Sequence, residues 1–203
     1  TEAPVATEEP TAEPTAEAET SITRGTWTDG VYYNATAGFN FTPPENWLLA
    51  DDEYIAQLVG VSKEMLGTEG EDLSDHEVVY DTFVQNPDNG TNVFIIYQKV
   101  SMLGALGMGI GDIMDEIVKQ MGENTAMNCT YVGTTEQTLG STDYQCAEFD
   151  VDISGITIKQ YILVNKFMNY TTNITITAMA SEPIEEFLPM FTSAQTAMAD
   201  CCG

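Results

Sequence analysis

The chain has one histidine, His76, and any nucleophile-base system would have to be built around it. It sits in an acidic stretch with Asp72, Asp75 and Glu77. Three carboxylates and an imidazole are suitable ligands for a hard or borderline divalent cation, so this segment is the candidate metal site. Its spacing matches neither an EF-hand nor a zincin motif. Gly104, Gly107, Gly109 and Gly111 precede a helical pattern, as in nucleotide-binding loops. A dinucleotide fold requires a parallel strand and an acidic residue after that helix, and a P-loop requires Lys-Ser/Thr, so the run reads as a strand-to-helix connection. Carboxylate-based hydrolysis needs two converging acids, and nothing in the spacing singles out a pair.

Cys129, Cys146, Cys201 and Cys202 fit no zinc pattern, and their even number permits disulfides in an exported chain. A hairpin turn at Gly140-Ser141 would set Cys146 opposite a residue near 136, which argues against a direct bridge to Cys129. Aromatic residues concentrate at Trp27, Tyr32, Tyr33, Phe39, Phe41 and Trp47. Most serve a core. A solvent-facing subset, Trp27, Tyr32, Tyr33 and Trp47, would form a stacking platform for a peptide or glycan. Asn-x-Ser/Thr sequons begin at Asn34, Asn89, Asn128, Asn169 and Asn173 and would signal glycosylation only in a eukaryotic secretory protein.

The elements that must position these residues follow from periodicity. Thr26 to Tyr33 reads as a short strand and Phe39 to Thr42 as another, ended by Pro43-Pro44, with Trp47 as an apolar plug. Asp51-Asp52-Glu53 starts a helix through Leu58, Val61 to Leu66 makes a second helical piece, and 67–77 is a polar loop. Strands at Val78 to Gln85 and Asn92 to Met102 flank an Asn-Gly hairpin signal. Ile110, Ile113, Met114, Ile117, Val118 and Met121 form one helix stripe. Met127 to Leu139, Thr142 to Ile153, Ile156 to Phe167 and Tyr170 to Met179 read as an antiparallel meander. A final helix, capped by Ser181 and interrupted by Pro189, would carry Ile184, Phe187, Leu188 and Phe191 on one face.

Across its 203 residues the chain carries 32 acids against six cations, a net charge of −26. Six of those acids fall in the first 21 residues, a Thr/Ala/Glu/Pro-rich segment with no aromatic residue, which reads as an extended spacer. Residues 22–200 then form a single domain whose apolar content, 43% over the whole chain, supports one core. Nucleic acid and bare anionic lipid are expected to be poor partners, because the cations are few and scattered. The chain begins as a processed, exported product would.

Gly38-Phe39-Asn40-Phe41-Thr42-Pro43-Pro44-Glu45-Asn46-Trp47, with the order of elements over residues 26 to 195, resembles the PsbP/Mog1-like fold, and specifically the Firmicutes surface lipoproteins of that fold. The resemblance implies an α+β antiparallel sandwich, its sheet of six or seven strands flanked by helices, preceded by a lipid-anchored spacer. It carries no catalytic residue onto this chain. The expectation is a monomeric, surface-displayed, non-enzymatic binding or accessory domain for an envelope or extracellular peptide, glycan or protein. It touches membrane only through an N-terminal lipid and needs no cofactor apart from the candidate cation. The alternative is an extracellular Asp/Glu-dependent hydrolase, with or without a metal.

Overall fold

The computed structural model describes residues 21–34, 37–103, 107–123 and 128–194. Alternating apolar residues build a seven-stranded antiparallel sheet, and a four-stranded sheet covers one of its faces. The large sheet comprises β4 (Leu48–Leu49), β5 (Val78–Gln85), β6 (Asn92–Lys99), β7 (Asn128–Leu139), β8 (Thr142–Ile153), β9 (Ile156–Phe167) and β10 (Tyr170–Met179), in the order β4-β5-β6-β10-β9-β8-β7. The small sheet comprises β1 (Thr26–Thr28), β2 (Val31–Asn34), β3 (Phe39–Phe41) and β11 (Phe191–Ser193), in the order β1-β2-β3-β11. The fold is α+β, and the large sheet has the expected number of strands.

Two helices cover the other face. In α1 (Asp52–Val59), Ile55 and Ala56 pack with Leu66 against Phe83. In α2 (Ile110–Glu123), Ile113 and Met114 pack against Phe149, Val151, Ile162 and Val164. Between the helices, Thr171, Asn173, Thr175 and Thr177 occupy the polar face of β10, opposite the buried Ile174, Ile176 and Ala178. Asp51 caps α1 by accepting the Tyr54 amide at 2.8 Å, and Gly60, at φ 73°, closes it in the left-handed conformation.

Several expected elements differ. Thr26 to Tyr33 is a hairpin, because Asp29 (φ 50°) and Gly30 (φ 77°) supply the two positive φ angles of a tight turn. The β6 strand ends at Lys99, and Val100–Leu103 is a 3-10 turn. The expected C-terminal helix is two 3-10 turns, Ile184–Glu186 and Leu188–Met190. Pro189 cannot sustain a longer ladder, and Phe191 joins β3 as a strand instead.

Residue pairing lines up one aromatic row across the small sheet. Trp27 lies opposite Tyr32, Tyr32 opposite Phe41, and Phe41 opposite Phe191. Neighbouring ring centroids lie 5.5 Å apart for Trp27 and Tyr32 and 4.8 Å for Phe41 and Phe191. Such cross-strand aromatic pairs hold a short sheet together and bury it against the larger one.

Candidate functional site

One end of the aromatic row is closed by β11, and the other ends in the open. There Trp27, on the edge strand β1, faces β4, the edge strand of the large sheet. The chain's two tryptophans meet at this opening. Trp27 and Trp47 line one hollow of about 390 Å³ with Pro43, Pro44, Leu49 and Val84. Leu49 also lines a hollow of about 310 Å³ with Leu48, Tyr54 and Phe83, and a third of about 190 Å³ with Arg24, Asp52 and Glu69. Leu49 is common to all three, and because Phe83 of one and Val84 of another lie on opposite faces of β5, the hollows together flank the β4 edge as a groove on both sides. Trp47 reaches it because Pro43 and Pro44 end β3 and a turn in which the Trp47 amide donates to the Pro44 carbonyl (2.9 Å) swings the chain across.

A buried polar cluster holds the groove's inner wall. The β5–β6 register shifts between Tyr80 and Thr82, so Asp81 is the extra residue of a β-bulge. The bulge aims Asp81 into the space between the sheets, where its carboxylate accepts hydrogen bonds from the Tyr32 hydroxyl, the Asn34 side-chain amide (3.0 Å) and the Gly25 backbone amide (2.9 Å). Burial pushes the Asp81 carboxyl up to about 6, while those hydrogen bonds and the Arg24 charge act to lower it. Burial, reinforced by the Asp81 charge, raises Tyr32 and Tyr97 well above the ordinary phenol value. Arg24, the sole arginine, donates to Asp52 Oδ1 (2.8 Å), the Asp81 carbonyl (2.9 Å) and the Gly67 carbonyl (3.3 Å), joining β1 to β5 and α1. Trp27 Nε1 donates to Thr82 Oγ1 at 3.1 Å, which fixes its indole at the rim.

The platform read from the sequence is redrawn. Trp27 and Trp47 share the groove. Tyr32 has no exposed surface and serves the core and Asp81. Tyr33 is exposed but alternates to the outer face of β2, away from Trp27. Leu48, Leu49, Arg24 and Asp81 were not singled out from the sequence. Leu48-Leu49 between Trp47 and a helix cap was a usable signal, as was a lone acid inside Val78–Gln85.

The four candidate metal ligands are not gathered into one cluster. Asp72 accepts from the Ser74 amide (3.0 Å) and hydroxyl (2.5 Å), which hold its carboxyl below the usual range. Asp75, His76 and Glu77 line a separate hollow of about 500 Å³ with Val61, Met65 and Tyr80, while Tyr170 ties down the loop by donating to the Ser74 and His76 carbonyls. Among the described residues, no group of three or more His, Cys, Asp and Glu is placed to hold a metal ion.

Thr135 lies opposite Cys146, one residue from the position read from the turn, and Cys129 lies opposite Val151. Both thiols are free. Cys146 faces the core between the sheets and Cys129 the α2 side, while Cys201 and Cys202 lie outside the described residues. Of the sequon asparagines, Asn34 and Asn173 are buried, and Asn89, Asn128 and Asn169 are exposed; Asn40, which with Phe41 and Thr42 makes a sixth sequon not singled out from the sequence, is half-buried. Among the described residues, no helix is long and apolar enough to cross a membrane.

A scan against protein-family models returns no match, and a search of curated proteins finds no relative. Among solved structures, the chain is similar to the solution structure of cyanobacterial PsbP (CyanoP) from Synechocystis sp. PCC 6803. The TM-score is 0.49 at 11% identity, over 89% of this chain and 99% of that one. A protein of Bacteroides thetaiotaomicron VPI-5482 matches with a TM-score of 0.42 at 12% identity, over 82% of this chain and about half (49%) of the other.

Proposed function

We propose that this is a non-enzymatic binding domain displayed on a bacterial surface, with residues 1–21 as the spacer of a lipid-anchored chain. Its ligand is an envelope or extracellular molecule held in the groove between β1 and β4. The observation that carries the reading is the meeting of both tryptophans with Leu49 at an open strand edge, with Leu48 exposed beside it. Leu48 and Leu49 are 61% and 49% exposed, a contiguous apolar pair at a sheet edge that a chain with no partner there has reason to cover. Asp81, the described carboxylate whose proton affinity is raised, has its oxygens occupied by fold-holding donors, which favours binding over acid-base chemistry.

Because both tryptophans lie at the groove, tryptophan emission, excited apart from the nine tyrosines, reads this site alone. Titrating the protein with peptide pools and with purified envelope polysaccharides is expected to shift or quench the emission with one of them. Loss of that response in Leu49→Asp, with circular dichroism unchanged, would locate the site. A panel that leaves the tryptophans silent while Asp or Glu variants abolish turnover of some polymer would replace this reading with the hydrolase one.

A further inference from the structure

We infer that the occupant of this groove is an extended peptide bearing Lys or Arg, added to the large sheet along β4; this rests on the groove being the binding site. The backbone supplies the first reason. The Ala50 amide donates to the Phe83 carbonyl at 2.9 Å, and Leu48–Leu49 pair with Gln85 and Val84. Antiparallel strands turn the N–H and C=O of alternate residues to opposite sides. The Leu49 N–H and C=O therefore point away from β5, toward open edge, at the residue that lines all three hollows. A strand laid there would bond to Leu49 and drop side chains into the hollows on either side of it.

Charge supplies the second reason. Asp29 and Glu45 line the tryptophan hollow, Asp51 the one at Tyr54, and Asp52 and Glu69 the third. Among the described residues the one cation lining them is Arg24, which is already committed to Asp52, Asp81 and Gly67. Apolar floors with carboxylate rims fit a peptide that alternates apolar residues with cations, and they steer it in. A second copy of this chain, at −26, would be repelled.

The test uses the full chain and a synthetic nine-residue peptide alternating Lys with Val, beside versions carrying Ser or Glu in place of Lys and one with Pro in place of the central Val. Tryptophan fluorescence gives affinity, and amide exchange by NMR reads Leu49. The Lys peptide is expected to bind about tenfold or more tighter than the Ser version, to weaken as NaCl rises from about 50 to about 500 mM, and to slow Leu49 amide exchange. The Glu version should not bind. The Pro version should lose most of the affinity, because it removes a backbone donor. Glu45→Gln with Glu69→Gln, both exposed and outside the buried cluster, should lower the Lys-peptide affinity with the thermal midpoint kept. Equal response to Lys, Ser and Glu peptides overturns the inference, as does Lys-peptide binding that is unchanged by Pro or leaves Leu49 exchange untouched. If a polysaccharide moves the tryptophans and no peptide does, the groove survives as a binding site and the cationic strand is refuted. If nothing moves them, both fall.

Discussion

Asp81 is an acid that the fold prefers protonated, since burial outweighs the donors around it and sets its folded value near 6 against 3.8 in an open chain. A carboxyl raised by folding stabilises fully below the unfolded value, and that contribution disappears as pH climbs through 6. The shift corresponds to about 3 kcal/mol between those limits. Urea unfolding between pH 4 and 7 should show the wild type losing this increment, and Asp81→Asn, which has no proton to bind, should show a flatter profile. Parallel profiles would mean the carboxyl is not perturbed. Gly25, beside Asp81, has no room for a side chain: a Cβ would stand 2.4 Å from the Tyr32 ring. Gly25→Ala should cost on the order of 1–3 kcal/mol in the same assay, by displacing Tyr32 from its carboxylate. Cys146, which burial pushes up to about 12, should resist iodoacetamide in the folded protein and react once urea unfolds it.

The small sheet depends on its last strand. Phe191 packs at 5.2 Å from Phe39 and 4.8 Å from Phe41, and Gly140 at the β7–β8 turn lies so close that a Cβ there would come within 2.9 Å of the Thr192 carbonyl. Phe191→Ala should destabilise by about 3–5 kcal/mol in denaturant unfolding. An unchanged midpoint would show that β11 adds little. The sequence made the long elements legible. The stripe from Ile110 to Met121 and the alternation from Asn128 to Met179 are strong periodic signals, and two-residue turns leave the meander few alternatives. The small sheet was less legible, because its strands are three or four residues long, too short for a period. Asp29-Gly30 was absorbed into one strand, and Ile184, Phe187, Leu188 and Phe191 fall at helical spacing although Phe191 is fixed by aromatic contacts far away in sequence. Of the site, the tryptophans were readable from composition. The bulge at Asp81 and the open edge at Leu49 arise from register, which no local pattern encodes.

As a whole the molecule is a strongly charged polyanion that nonetheless closes a core between two sheets. At −26 its carboxylates repel one another in the compact state more than in an expanded one. Raising NaCl from about 10 to about 300 mM should therefore lift the thermal midpoint, read by circular dichroism, by screening that repulsion. A midpoint that falls with salt would show that the ion pairs Arg24–Asp52 and Lys159–Glu148 outweigh it.

The described chain enters the fold at the groove's own corner. The Ile22 amide donates to Ser74 Oγ, its carbonyl accepts from Leu73, and Arg24 and Gly25 are fastened to Asp81. Tension applied through the residues ahead of Ser21 would therefore meet the bonds to Leu73, Ser74 and Asp81 before it reached β1, and Asp81 would pass it straight into the seven-stranded sheet. The rim that carries Trp27 is thus shielded from mechanical load by the fasteners ahead of it. A pull on the chain ahead of Ser21 would leave the groove's shape unchanged until those fasteners gave way.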